Sequence, residues 1–104
     1  MRIEVTQEDI DNAVRNDSLH CPIANAVNRT FKLQDGNKIR VGKMHSVVYS
    51  GITYTQAYMR KWNKFISDFD AGKPVKPTVF DEPLFDKVQS GIDAAKINPF
   101  GVIR

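Results

Sequence analysis

Met44-His45-Ser46-Val47-Val48-Tyr49-Ser50-Gly51-Ile52-Thr53-Tyr54-Thr55 runs directly into the sixteen residues from Gln56 to Ala71, and the hydrophobic period changes where the two stretches meet. The first stretch is rich in β-branched and aromatic side chains, with Ser50-Gly51 in the position of a tight turn. It predicts a hairpin. In the second stretch Tyr58, Trp62, Phe65, Ile66 and Phe69 recur at helical spacing, and Gly72 follows where a helix C-cap belongs. That aromatic stripe is read as core, because a chain of 104 residues needs such rings to fold.

On the N-terminal side, Arg2-Ile3-Glu4-Val5 alternates as a half-buried strand does. Thr6 then resembles an N-cap for a helix over Gln7–Asn16 with the stripe Ile10, Ala13 and Val14. Asp17-Ser18 breaks it. Cys21-Pro22 opens a second helix that turns Ile23, Ala26, Val27, Thr30 and Phe31 inward and leaves Asn25, Asn28 and Arg29 facing water. Asp35-Gly36 is a turn dipeptide between Phe31-Lys32-Leu33 and Lys38-Ile39-Arg40-Val41, which predicts another hairpin.

On the C-terminal side, Pro74 and Pro77 hold Lys73–Phe80 extended, as an edge strand that can pair with the N-terminal one. Asp81-Glu82-Pro83 starts a last helix with Leu84, Phe85, Val88, Ile92 and Ala95 on its apolar side and a weakening Gly91. Strands in the middle with helices at the ends indicate an α+β fold: a small antiparallel sheet of two central hairpins plus edge strands, packed against three to four helices. Residues 1–104 are expected to form a single domain, with 81–104 as a C-terminal helix and tail extension. The tail side chains Phe100, Val102 and Ile103 either reach a second subunit, making a homo-oligomer, or fold back on their own chain.

The chain is 41% hydrophobic and 26% charged, which excludes a disordered segment, and no apolar run is long enough to span a bilayer. The N-terminal residues lack the apolar stretch of a signal peptide, and one cysteine cannot make an intramolecular disulfide. A cytoplasmic protein without membrane association is expected. Cys21 beside His20 invites comparison with a thiolate nucleophile, and a helix N-terminus would lower its pKa. A buried structural cysteine is the better reading, because one Cys with only His20 and His45 makes no closed metal site. Neither cofactor, metal nor catalytic residues are expected.

The net charge of +3 permits an anionic partner. Arg29, Lys32, Lys38, Arg40 and Lys43 crowd the second helix and the hairpin after it, while Arg60, Lys61 and Lys64 fall on the polar side of the third helix. These groups suit phosphates, and Tyr49 or Tyr54 on an exposed strand face suits a base.

Three segments carry a resemblance: Val5-Thr6-Gln7-Glu8-Asp9-Ile10-Asp11, Cys21-Pro22-Ile23-Ala24-Asn25-Ala26, and the run from Phe65 to Phe80. Together they resemble short, mostly uncharacterised accessory proteins encoded by bacteriophages and prophages. The resemblance implies a non-enzymatic binding protein of the bacterial cytoplasm that inhibits a defence system or another host component. Two alternatives stay open, a protein that sequesters a cyclic nucleotide-type signal and a sequence-nonspecific nucleic-acid binder. The expected partner is accordingly a host protein or an anionic nucleotide, with nucleic acid as a further option.

Overall fold

The computed structural model describes residues 1–34, 36–42, 46–56 and 59–97. In chain order the elements are β1 (Arg2–Val5), α1 (Gln7–Asp11), α2 (Pro22–Thr30), β2 (Arg40–Gly42), β3 (Ser46–Tyr49), β4 (Ile52–Thr55), α3 (Arg60–Asp70), β5 (Thr78–Asp81) and α4 (Pro83–Ile97). The architecture is α+β, and its strands divide between two antiparallel sheets, β1-β5 and β2-β3-β4.

Alternation in β1 buries Ile3 and Val5 and exposes Arg2 and Glu4, and its partner is the Pro-flanked strand β5, with Ile3 opposite Phe80. Thr6 caps α1 through a reciprocal capping box with Asp9. The helix ends at Asp11, five residues short of the expected Asn16. Asn16 takes a left-handed conformation at φ 56°, Val14 N–H bonds back to the His20 carbonyl at 2.8 Å, and Val14 is left exposed.

Cys21 is the N-cap of α2 and Pro22 its first residue, as the sequence predicts. The hairpin expected around Asp35-Gly36 does not form, and Asp35 itself lies outside the described residues. Phe31 and Leu33 donate their N–H groups back to Val27 and Asn28, and Lys32 is left-handed at φ 56°, so residues 31–33 finish α2 and are not a strand. β2 pairs instead with β3, Val41 opposite Val47.

The Ser50-Gly51 hairpin does form. Both turn residues have positive φ, 51° and 78°, the geometry whose twist matches paired strands. Expected strand residues 44 and 45 lie outside the described region, as does Tyr58. α3 starts at Arg60 and not at Gln56, because the Gln56 side chain is drawn to α4, where it accepts from the Leu84 N–H and donates to Glu82, both at 2.8 Å. At the other end Gly72 at φ 79° makes a Schellman cap, with Gly72 N–H on the Phe69 carbonyl and Lys73 N–H on that of Asp68.

Trp62 lies at the centre of the core. Its ring stacks on Phe85 at 5.6 Å and meets Phe80 edge-on at 6.0 Å, and its indole N–H donates to the Gly42 carbonyl at 2.9 Å. α4 supplies Leu84, Phe85, Val88 and Ile92 to the same buried cluster that holds Ile3, Ile23 and Val47. The helix after Phe80 therefore completes the core. Gly91 lies against Tyr54, whose hydroxyl occupies the space that a Cβ would need.

Candidate anion-binding site

The site is built around Asn28. The helical period places this residue on the wet side of α2, yet it is 5% exposed and spans to the segment entering β2. Its Oδ1 accepts from the Ile39 N–H at 2.7 Å and its Nδ2 donates to the Ile39 carbonyl at 3.2 Å. A side-chain amide thus serves Ile39 as a strand neighbour would. Ile39 is wholly buried, while Arg40 beside it is exposed and Lys38 half-buried.

A second tie fixes the other wall. Val41 N–H donates to the Ser18 carbonyl at 2.9 Å, and the Arg40 guanidinium reaches Ser18 Oγ at 3.3 Å, so the turn over residues 17–20 is joined to β2. Within that turn Asp17 accepts from the Leu19 N–H and pairs with His20 Nδ1, both at 2.9 Å. Those bonds, His20 first, hold the Asp17 carboxyl below its ordinary range. With Nδ1 engaged by Asp17, Nε2 is the imidazole nitrogen left to meet a ligand.

Leu19, His20, Gly36, Lys38 and Arg40 enclose a cleft of about 380 Å³. Among the described residues its lining has three basic side chains and no carboxylate. Lys38 also borders a cleft of about 320 Å³ on the α1 side, where Glu8 and Asp9 oppose an anion. The arrangement on the Arg40 side is chemically suited to a phosphate-sized group, with a guanidinium for two oxygens, an ammonium as a further donor, and His20 Nε2 as a donor when the ring is an imidazolium.

The other described residues of the two basic clusters do not line this cleft. Arg29 is committed to the buried Asp9, Nη2 to Oδ2 at 2.8 Å and Nε to Oδ1 at 3.3 Å, and Nη2 also donates to the Glu4 carbonyl at 2.8 Å. Lys32 is exposed at the end of α2. Lys61 donates to the Val79 carbonyl at 2.7 Å and lies over the Phe80 ring, and Lys64 pairs with Asp68 at 2.8 Å. Both border a different cleft, with Phe65 and the Pro74–Thr78 segment, and Arg60 is exposed at the start of α3. Lys43, Phe100, Val102 and Ile103 lie outside the described residues.

Tyr49 and Tyr54 do not present an exposed stacking face. Register places Tyr54 opposite the buried Val47 and Tyr49 on the same side of the sheet, and both pack against the core. The outward side carries Val48, Thr53 and Thr55 instead. Cys21 is buried, with Sγ accepting from the Ala24 N–H at 3.3 Å, and burial pushes its thiol up to about 11. The lowering expected from its place at a helix N-terminus is outweighed, and the sulfur is a neutral thiol near pH 7. Among the described residues no three His, Cys, Asp or Glu side chains are grouped to hold a metal ion, and no helix is long and apolar enough to cross a membrane.

Comparison with protein-family models, with curated proteins and with solved structures yields no match to this chain.

Proposed function

We propose that this chain is a non-enzymatic binding protein whose ligand is a nucleotide-sized anion, held by its phosphate between His20, Lys38 and Arg40. The observation that carries the reading is the convergence of three basic side chains on one cleft, whose described lining residues include no carboxylate. A volume of about 380 Å³ lies within the range of small-molecule sites, and it suits a mononucleotide or part of a dinucleotide better than a polymer. In a bacteriophage setting such a protein acts in the host cytoplasm by sequestering a nucleotide signal of a defence system, which is one way of inhibiting that system. The phage setting rests on the three resembling segments. They hold the capping box of α1, the start of α2 and the stretch from α3 into β5, so what they support is a shared fold.

The rival reading as a nonspecific nucleic-acid binder draws less support. Such a protein needs a continuous basic track with aromatic platforms along it. Here Arg29, Lys61 and Lys64 are already bonded to Asp9, Val79 and Asp68, and both tyrosines face the core.

Isothermal titration with inorganic phosphate, cyclic dinucleotides, ADP-ribose and a short oligonucleotide tests the proposal. One nucleotide is expected to bind, with Arg40→Ala weakening it at least about tenfold, the usual range for losing a charge-assisted hydrogen bond. Binding of the oligonucleotide alone, or affinity unchanged in Arg40→Ala and Lys38→Ala, would overturn it.

A further inference from the structure

We infer that the outer edge of β4 is a self-association surface, and that two copies of this chain pair β4 with β4, antiparallel and centred on Tyr54.

The two sheets have four edge strands, β1, β5, β2 and β4. Three of them are covered by a specific bond: the outward Glu4 carbonyl of β1 accepts from Arg29, the Val79 carbonyl of β5 accepts from Lys61, and the Val41 N–H of β2 donates to Ser18. β4 is different. Tyr49 and Ile52 close a two-residue turn and so form a hydrogen-bonded pair, which by alternation turns the polar backbone groups of Thr53 and Thr55 away from β3. Among the described residues none bonds to those groups.

Edge strands of monomers are ordinarily blunted by charge, proline or a bulge. Residues 50–56, Ser-Gly-Ile-Thr-Tyr-Thr-Gln, contain no charge and no proline. Ile52 on this strand is 56% exposed, one of two large hydrophobic side chains left open to solvent among the described residues.

The occupant follows from symmetry. In an antiparallel pair with Tyr54 on the two-fold axis, Thr53 of one copy faces Thr55 of the other, and all four outward-facing residues exchange both backbone hydrogen bonds. Thr–Thr pairs then meet on the outward side, a favourable cross-strand combination, and no like charges are opposed. The two three-stranded sheets become one six-stranded sheet. A second copy supplies a strand of matching length and chemistry without any further partner. The area available is small for a stable dimer, so the association is weak and concentration-dependent.

Sedimentation velocity of the full chain from micromolar to millimolar concentration reads this directly. The mass is expected to rise toward that of two chains, and Thr53→Lys with Thr55→Lys is expected to hold it at one chain with an unchanged circular dichroism spectrum. A second variant guards against misfolding of the first. Thr53→Cys with Thr55→Cys should give, on mild oxidation, a covalent dimer whose disulfides map to residues 53 and 55 of different copies, Cys21 being buried. One-chain mass throughout the range, a dimer indifferent to the lysines, or cross-links that avoid these two positions would each overturn the inference.

Discussion

Asn28 pairs with both backbone polar groups of Ile39, accepting its N–H at 2.7 Å and donating to its carbonyl at 3.2 Å. This contact carries the end of α2 over to the start of β2 and thereby sets Lys38 and Arg40 on the cleft. Replacing Asn28 by Ala leaves two buried backbone groups without partners, which should cost about 2–4 kcal/mol. Urea denaturation checks the stability. Ligand affinity should fall with it in Asn28→Ala, although no basic residue has been touched.

Gly91→Ala is predicted to destabilise although Ala is the better helix former by about 1 kcal/mol. The new methyl group would collide with the Tyr54 hydroxyl, and overpacking of this kind costs about 1–3 kcal/mol. Tyr54→Phe removes the obstructing oxygen. In that background the same substitution should be tolerated better, and thermal melts of the four proteins in a double-mutant cycle measure the coupling.

Acid should unfold the protein partly through Asp9. Burial alone raises its carboxyl, but bonds from Arg29 and from the Thr6 N–H and hydroxyl outweigh burial and leave the pKa below its ordinary value. A group depressed in the folded state contributes stability above its unfolded pKa, about 4, and loses that contribution as pH falls through the lower folded value. The urea midpoint should therefore hold down to about pH 5 and drop below about pH 4. Asp9→Asn should be less stable at pH 7 and show a shallower acid limb.

The last helix is predicted to be indispensable. A chain ending at residue 82 loses Leu84, Phe85, Val88 and Ile92 from the core and strips the stacked ring from Trp62. At about 1.5–3 kcal/mol for each large buried apolar side chain, the loss is comparable with the whole stability of a domain this size. Heteronuclear NMR of the truncated chain should show collapsed amide dispersion.

Much of this fold is legible locally. The Ser50-Gly51 turn, the Trp62, Phe65 and Ile66 part of the apolar stripe of α3, the Gly72 cap and the Cys21-Pro22 helix start all depend on neighbouring residues, and they appear where periodicity and turn chemistry put them, whereas Phe69 of the same stripe is only half-buried. The misreadings are tertiary. Asp35-Gly36 signals a hairpin, but residues 31–33 are consumed in ending α2. Asn28 sits on a polar helix face by period and is buried because Ile39 needs an amide there. Charge alone weights Arg29, Lys61 and Lys64 equally with Lys38 and Arg40; the partners of Arg29 and Lys61, Asp9 and the Val79 carbonyl, become visible only in the fold, whereas the i,i+4 pair Lys64–Asp68 on one helix is legible in the spacing. His20 next to Cys21 suggests thiol chemistry, whereas its ring turns to Asp17 and joins the cleft with Arg40.

The most direct test of the anion site is a two-dimensional amide NMR titration of the full chain with a mononucleotide and, separately, with inorganic pyrophosphate. Saturable shifts are expected at Leu19, His20, Gly36, Lys38 and Arg40, with affinity lowered at least about tenfold in Arg40→Ala and the rest of the spectrum intact. Shifts centred on Lys61, Lys64 and the Pro74–Thr78 segment, or no saturable shift with either anion, would contradict it.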